Sequence, residues 1–349
     1  MFLLFFALGT TMKNLMRYLG VRLLMTIPML LILLTVVFIV MRVIPGDPIS
    51  AMLGDHAPVK FVAEKKHELG LDKPIWEQYF DYLGQLARFD LGNSMILQEK
   101  VTAPILEKLP ATIELTFTGL LVALGIGIPV GAWAAKNRRS VGDFTARLYG
   151  NIVYCIPVFW MGLILQMVFG VALDWLPIAG RVGSRVMSSD FEQTGFYLVD
   201  TLLVGDPKAF GDVVVHLILP ALTLGVTLSG IFLRLTRANM LDTLKSDFVL
   251  AGRARGLPEG KVVYGHALGN AFVPVLTMLG LQFAVLLSGA ILTETTFSWP
   301  GMGRLLLERI YLRDYPTVQG IIVIFALFVS LISLLVDIIH ALIDPRVKY

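Results

Sequence analysis

The chain holds six stretches of roughly twenty predominantly apolar residues, about the length an α-helix needs to cross a hydrocarbon core. They run from Leu23 to Ile44, from about Ala111 to Ala135, from about Leu148 to Leu173, from about Val213 to Leu235, from about Ala271 to Thr293, and from Val318 to Ile339. Lipid offers no hydrogen-bond partners, so each stretch must pair its own backbone groups, which restricts it to a helix. The expectation is an all-α integral membrane protein with six transmembrane helices and both termini on one side. Composition agrees. Hydrophobic residues make up 56% of the chain and charged residues 16%, against about 25% charged in a soluble domain. The formal net charge of +3 is modest, and no basic patch suited to nucleic acid is present.

Basic residues in short loops set the orientation. Lys13, Arg17 and Arg22 precede the first span, and Lys136, Arg138, Arg139 and Arg147 lie between the second and third. Arg234, Arg237, Lys245, Arg253, Arg255 and Lys261 surround the loop after the fourth span, and Arg346 and Lys348 sit in the tail. All of these fall on one face, which is therefore expected to be cytoplasmic. Segments 45–110 and 174–212 are then external, and each is richer in acidic than in basic residues. Residues 1–11 are apolar, and the run Phe2–Leu8 is too short to span. A signal peptide carries its basic residues before the apolar run, the reverse of the order here, so 1–11 reads as an extension or an upstream start without a transport role.

Segment 45–110 has helical content of its own. Asp72 is placed to cap a helix with Pro74 near its first turn. Ile75, Trp76, Tyr79, Phe80, Leu83 and Leu86 then recur at helical spacing, with Glu77, Asp81 and Gln85 sharing another face. The apolar stripe suits packing on the protein's own spans, with the membrane surface or the mouth of a pathway as the other readings.

No constellation supports catalysis or metal binding. His56, His67, His216, His266 and His340 are scattered, and neither a His-Glu-x-x-His nor a paired-cysteine spacing occurs. The phosphate loop Gly-x-x-x-x-Gly-Lys-Ser/Thr is missing, and Gly301-Met-Gly303 reads as turn chemistry. Cys155, the single cysteine, reads as a small core residue. Polar groups within apolar spans are costly and usually face a partner or a water-filled cavity. Glu294, at the end of the fifth span, has three readings: an outer gate, a pair with Arg304, or a contact to a partner subunit. Gln166 and Gln282 either line a path or bridge helices, the second being preferred. Asp337 is expected to pair with a basic residue at the rim. Gly127-Ile-Pro-Val-Gly131 offers a small-residue packing face.

One polar stretch stands apart. Asp247-Phe-Val-Leu-Ala-Gly-Arg-Ala-Arg-Gly256, followed by His266-Ala-Leu-Gly-Asn270, lies in the loop 238–270 between two apolar spans, and the loop is expected to hold a short helix along the membrane plane that Pro258 stops. Small residues at Ala251, Gly252, Ala254 and Gly256 permit close approach of another protein, and Arg253 and Arg255 place charge around that contact. His266, at a loop–helix junction, is expected to hydrogen-bond a nearby carbonyl. The stretch resembles the cytoplasmic coupling loop of ABC-importer permeases, with Leu250-Ala251-Gly252 and Gly256 at the matching spacing, although the usual glutamate and proline are missing. It is most similar to the variant in dipeptide and oligopeptide permeases. Ile44-Pro-Gly-Asp-Pro48, Leu69-Gly-Leu-Asp-Lys-Pro74, Asp90-Leu-Gly-Asn-Ser94, Phe297-Ser-Trp-Pro-Gly-Met-Gly303, Arg313-Asp-Tyr-Pro316 and Asp344-Pro-Arg346 extend the resemblance over residues 12–349. Relatives often carry Arg before the Asn, where this chain has Gly269.

The resemblance implies a type I ABC-importer permease fold and one subunit of a prokaryotic plasma-membrane importer. It implies as partners a second permease, two cytoplasmic ATP-binding chains, an external solute-binding protein and membrane lipid. ATP and magnesium would belong to the ATPase chains, and no cofactor to this one. Coupling would fall to Asp247, Ala251, Gly252, Arg253, Arg255, Gly256, His266 and Asn270. The implied solutes are di- or oligopeptides, with nickel chelates, glutathione or oligosaccharides as alternatives. A secondary transporter, the reading from another class, would need facing ionisable groups inside the spans, which are nearly free of charge. The orientation is testable directly: in a Cys155→Ser background, a cysteine at position 253 should react with impermeant reagent only after the cell is opened, and labelling from outside intact cells would overturn it.

Overall fold

The computed structural model describes residues 2–43, 59–68, 70–184, 186, 191 and 193–343. Ile44-Pro-Gly-Asp-Pro48, Leu69, His56 and the tail Asp344-Pro-Arg346 with Lys348 lie outside the described residues. Among those described there is one isolated bridge, Asn93 to Lys100, and otherwise helix and loop. The helices are α1 (Phe2–Val43), α2 (Val59–Glu68), α3 (Ile75–Ala87), α4 (Thr102–Lys136), α5 (Val141–Cys155), α6 (Val158–Leu165), α7 (Tyr197–Val204), α8 (Pro207–Thr243), α9 (Asp247–Ala254), α10 (Leu268–Thr296), α11 (Met302–Tyr311) and α12 (Tyr315–Ile343). A wide π-helical turn over Gln166–Ala172 continues α6, and a second over Lys261–Ala267 leads into α10. Among the described residues, five helices are long and apolar enough to cross a membrane, or six if one bent pair counts as a single span.

The third expected span is not straight. α5 and the α6 segment meet at a 104° bend. Pro157 is the cause: Ile156 before it is extended, at φ −82° and ψ 123°, as a residue preceding proline prefers. The long helices also run past the apolar windows that announced them. α8 begins at an N-cap of its own, with Asp206 accepting from the N–H of Lys208 and Ala209 and Pro207 in the first turn. Cys155, expected in the core, is exposed.

The chain divides into two compact units, one of residues 1–109, 304–331 and 349, the other of 110–303 and 332–348. In the second, α8 is the axis around which α5, α6, α7 and α10 pack. Glycines make this possible. A Cβ on Gly127 would come within 2.8 Å of the Ser229 carbonyl oxygen, and one on Gly131 within 2.9 Å of Thr236 Cβ. On the α5 side, a Cβ on Gly230 would stand 2.6 Å from the Gly150 carbonyl oxygen. The face expected at Gly127 and Gly131 is therefore a backbone-to-backbone contact, as small residues allow in membrane helices.

In the first unit, α3 lies on α1. Tyr79 and Tyr82 pack on Phe38, and the Tyr79 hydroxyl is 2.6 Å from Thr35 Oγ1. The apolar stripe of α3 is split, because Ile75, Trp76 and Phe80 stay exposed. Asp72 does not cap this helix. Pro74 occupies the cap position, and Asp72 Oδ2 lies 2.6 Å from His67 Nδ1. Two sequence motifs more than two hundred residues apart meet here: Asp314 accepts from the Ser94 hydroxyl at 2.6 Å, the Met95 N–H at 3.0 Å and the Thr317 hydroxyl at 2.7 Å.

The segment before α8 is organised by Asp200. This fully buried carboxylate accepts from the Thr194 hydroxyl at 2.7 Å and from the backbone N–H groups of Gln193, Thr194 and Gly195. Burial works against its ionisation, but the Thr194 hydroxyl and the three amides outweigh that and hold it below its ordinary 3.8. Its folded pKa is depressed, so its stabilisation is complete above 3.8 and fades as pH falls through the lower folded value. Amide-exchange protection over residues 193–201 should therefore hold from about pH 7 to about pH 5 and fall only in strong acid, while Asp200→Asn should raise exchange there throughout. A loss of protection near neutral pH in the unmodified chain would contradict this.

Candidate functional site

The loop between α8 and α10 carries the short helix α9, and its seat explains its position. Val249 is fully buried in a cluster with Ala132 and Ala135 of α4, Met240 of α8, Val262, Val263 and Ala267 of the π turn, and Ala271 of α10. Leu241, Leu244, Leu257 and Leu268 close the edges. One apolar residue thus anchors α9, while Phe248, Leu250 and Ala251 present an exposed apolar face. Gly256, at φ +73°, ends the element in a left-handed conformation. Pro258 was the expected stop; it begins the next turn instead, its carbonyl accepting from Lys261 and Val262.

A charged brace closes the loop. Arg253 donates from Nε at 3.1 Å and Nη2 at 2.7 Å to the Glu259 carboxylate. The pairing raises the Arg253 pKa and lowers that of Glu259, the hydrogen bond between them being the largest cause in both. Both side chains are substantially exposed, so the brace orders the loop more than it adds stability. Beneath, α5 is tied to α8 by Asp143, a buried carboxylate that Arg237 holds through Nε at 2.6 Å and Nη2 at 2.9 Å, with the Arg139 N–H at 3.0 Å. Bidentate geometry of this kind fixes orientation as well as distance.

Asp247, Ala251, Arg253, Arg255 and Gly256 are exposed and Gly252 half-buried, all on or just after α9. A Cβ on Gly252 would find Leu257 Cδ1 and Val262 Cγ2 at an ordinary 3.7 Å, so nothing within the chain requires glycine there. His266 and Asn270 stand apart, at the π turn and the start of α10. Asn270 Nδ2 donates to the His266 carbonyl at 2.9 Å, while the His266 imidazole is exposed and makes no hydrogen bond among the described residues, contrary to the expected carbonyl contact. Val249, Glu259 and Asp143 escaped the sequence reading. A lone valine in a small-residue run and two acids among basic residues carry no periodic signal.

Most polar groups of the spans gather where α4 begins its course through the second unit and α10 ends, while Gln282 stands apart near the middle of α10. Glu294 is fully buried and accepts from the Thr112 hydroxyl at 2.6 Å, and that hydroxyl also accepts the Met302 N–H at 2.8 Å. Gly301 lies against the same carboxylate so closely that a Cβ would collide with it. The glycines of Gly301-Met-Gly303 thus make room for Glu294, beyond shaping a turn. Gln166 bridges, donating to the carbonyls of Ile178 at 2.7 Å and Thr296 at 3.0 Å. Gln282 is buried, and its Oε1 has no partner among the described residues. The strongest pair was not anticipated: Arg181 donates to Glu114 Oε2 at 2.6 Å and to the Gly195 carbonyl at 2.7 Å, with its plane 3.6 Å from the Tyr197 ring centre. Both charges are nearly inaccessible.

These features define a multi-pass helical membrane protein with one braced, exposed loop helix. The model of the family described as binding-protein-dependent transport system inner membrane component matches residues 127–349, and its N-terminal part matches residues 15–116. The chain belongs to this family and is a membrane component of such a transport system. It is 45% identical over 314 residues to the di/tripeptide transport system permease protein of Pseudomonas aeruginosa, covering 89% of this chain and 93% of that protein. It is 40% identical over 334 residues to the dipeptide transport system permease protein of Escherichia coli K12, covering 94% and 97%. The glutathione transport system permease protein of Pectobacterium atrosepticum is 36% identical over 334 residues, covering 96% and 99%.

The Glu294 pocket generates a prediction about stability. Gly301→Ala should destabilise the chain by about 1–3 kcal/mol through overpacking. Adding Glu294→Ala should relieve the collision, so the double variant should lose less than the sum of the two single changes. Additive losses in detergent unfolding curves would show that the close approach is not felt.

Proposed function

We propose that this chain is one of two permease subunits of an ATP-driven importer for di- or tripeptides. The observation that carries the coupling part is α9: a helix anchored by Val249 and braced by Arg253–Glu259, with an apolar face at Phe248, Leu250 and Ala251 turned away from the chain. An exposed apolar face on a fixed helix suits insertion into a groove of another protein. The partners are a second permease, two cytoplasmic ATP-binding chains that hold ATP and magnesium, and an external solute-binding protein. Both termini and α9 face the cytoplasm, in keeping with the basic residues around that loop.

Closure of the ATPases pushes on α9. Its anchor touches α4, α8 and α10 together, so the push is shared among three long helices, as rigid-body switching between outward and inward openings requires. Peptide as the solute rests on the di/tripeptide and dipeptide relatives; glutathione, itself a peptide, is the second reading, from the relative at 36%. The chain hydrolyses nothing itself.

Position 252 separates a fold requirement from a partner requirement. Gly252→Ala should leave assembly and transport near normal, because the added carbon meets only ordinary contacts. Gly252→Trp should reach the membrane but lose solute-stimulated ATP hydrolysis in the reconstituted complex by about tenfold or more, in line with the steric cost of overpacking. Normal stimulated hydrolysis in the tryptophan variant would sink the assignment of α9, and failure of the unmodified complex to take up dipeptide with its binding protein and ATP would sink the solute.

A further inference from the structure

The first compact unit contains a polar cavity of about 630 Å³, within the roughly 300–1,000 Å³ range of small-molecule sites. Its wall includes Arg42 at the end of α1, Tyr82 of α3 and Gln319 of α12. These three share an unusual deficit. Arg42 uses Nε to reach Gln78 Oε1 at 3.1 Å and rests on the Phe38 ring, but no carboxylate pairs with it among the described residues. Gln319 is 7% exposed, and its Nε2 has no hydrogen-bond partner among the described residues. The Tyr82 hydroxyl is likewise buried and without a partner among the described residues, as is that of Tyr315, and both tyrosines lie within electrostatic range of Arg42.

Buried donors without acceptors are costly and uncommon, and here a cation and an amide line one cavity. The acids on the same wall do not answer them. Asp81 is held by Lys73 at 2.7 Å, and Asp90 accepts the Gly92 N–H at 3.0 Å. His67, also on the wall, is paired with Asp72. What is left over is a set of donors around one positive charge, which is the complement of a small oxyanion.

We propose that this cavity binds the C-terminal carboxylate of a peptide solute, with Arg42 and Gln319 donating to its two oxygens and the Tyr82 hydroxyl completing the set. Asp90, exposed on the same wall, supplies the opposite charge for the peptide's ammonium end. The assignment deepens the peptide reading and rests on it. It places a solute contact on the first compact unit.

The test uses the full importer complex in phosphatidylcholine nanodiscs, without binding protein or ATP, followed by amide exchange at the ends of α1 and α12. Ala-Ala should protect both ends, and Ala-Ala amide, which lacks the carboxylate, should bind at least about tenfold more weakly. Arg42→Gln should weaken Ala-Ala by about tenfold or more, and Gln319→Leu should weaken it several-fold, with exchange in α8 unchanged in either variant as the sign of an intact fold. Protection by phosphatidylglycerol nanodiscs alone, with Ala-Ala adding nothing, would assign the donors to a lipid phosphate and overturn the proposal. So would an absence of protection by either probe, or equal binding of the acid and the amide. Because neither ATP nor binding protein is present, failure here leaves the importer reading standing, whereas failure of coupled uptake would not by itself touch this site.

Discussion

Close approach of helix backbones at glycine is the constraint on which the second unit depends. In lipid, apolar side chains gain little by leaving one apolar medium for another, so helices associate through contact area and through the few hydrogen bonds they share. α8 meets α4 at Gly127 and Gly131, and meets α5 where Gly150 faces Gly230. At Gly127, Gly131 and Gly230 a methyl group would enter the neighbouring backbone or Cβ, whereas one at Gly150 would meet only ordinary contacts. The axis so formed brings the helix ends into register, and the polar sites at those ends depend on that register.

The two ends use charge in different ways. At one, Glu114–Arg181 and Glu294–Thr112 are buried and tie loops to helices with short, oriented hydrogen bonds. A buried pair gains little net stability over an apolar one, but losing one partner strands a charge, so such pairs fix a single arrangement. At the other end, Arg237–Asp143 is buried while Arg253–Glu259 is exposed. The inner bond holds the scaffold, and the outer one orders a surface that α9 presents. A helix of eight residues would not persist alone in water, so its order derives from Val249 and from this brace.

The bend at Pro157 belongs to the same logic. It divides an apolar run into two short helices at 104°, which a uniform span could not do without leaving backbone groups unpaired. The π turn that follows, over Gln166–Ala172, carries the glutamine whose side chain joins Ile178 to Thr296. The irregular backbone is thus satisfied from within the protein.

Hydrophobic length by itself determined the helical membrane class and the approximate place of each span, because lipid leaves a long apolar run no other way to satisfy its backbone. Local chemistry likewise announced the loop helix around Asp247 and the helix after Pro74. The stop at Gly256 in place of Pro258 needed a backbone angle that composition does not state, and the loss of Asp72 as a cap needed His67 to be near. Only the tertiary structure decided the partnerships: Ser94 with Asp314, Arg181 with Glu114, Gly301 with Glu294, and Arg42 beside donors that have no partner among the described residues. The physical reason is the same in each case. Apolar periodicity is a local property of the chain, whereas the pairing of a polar group depends on which distant segment the packing of glycine-faced helices brings to it.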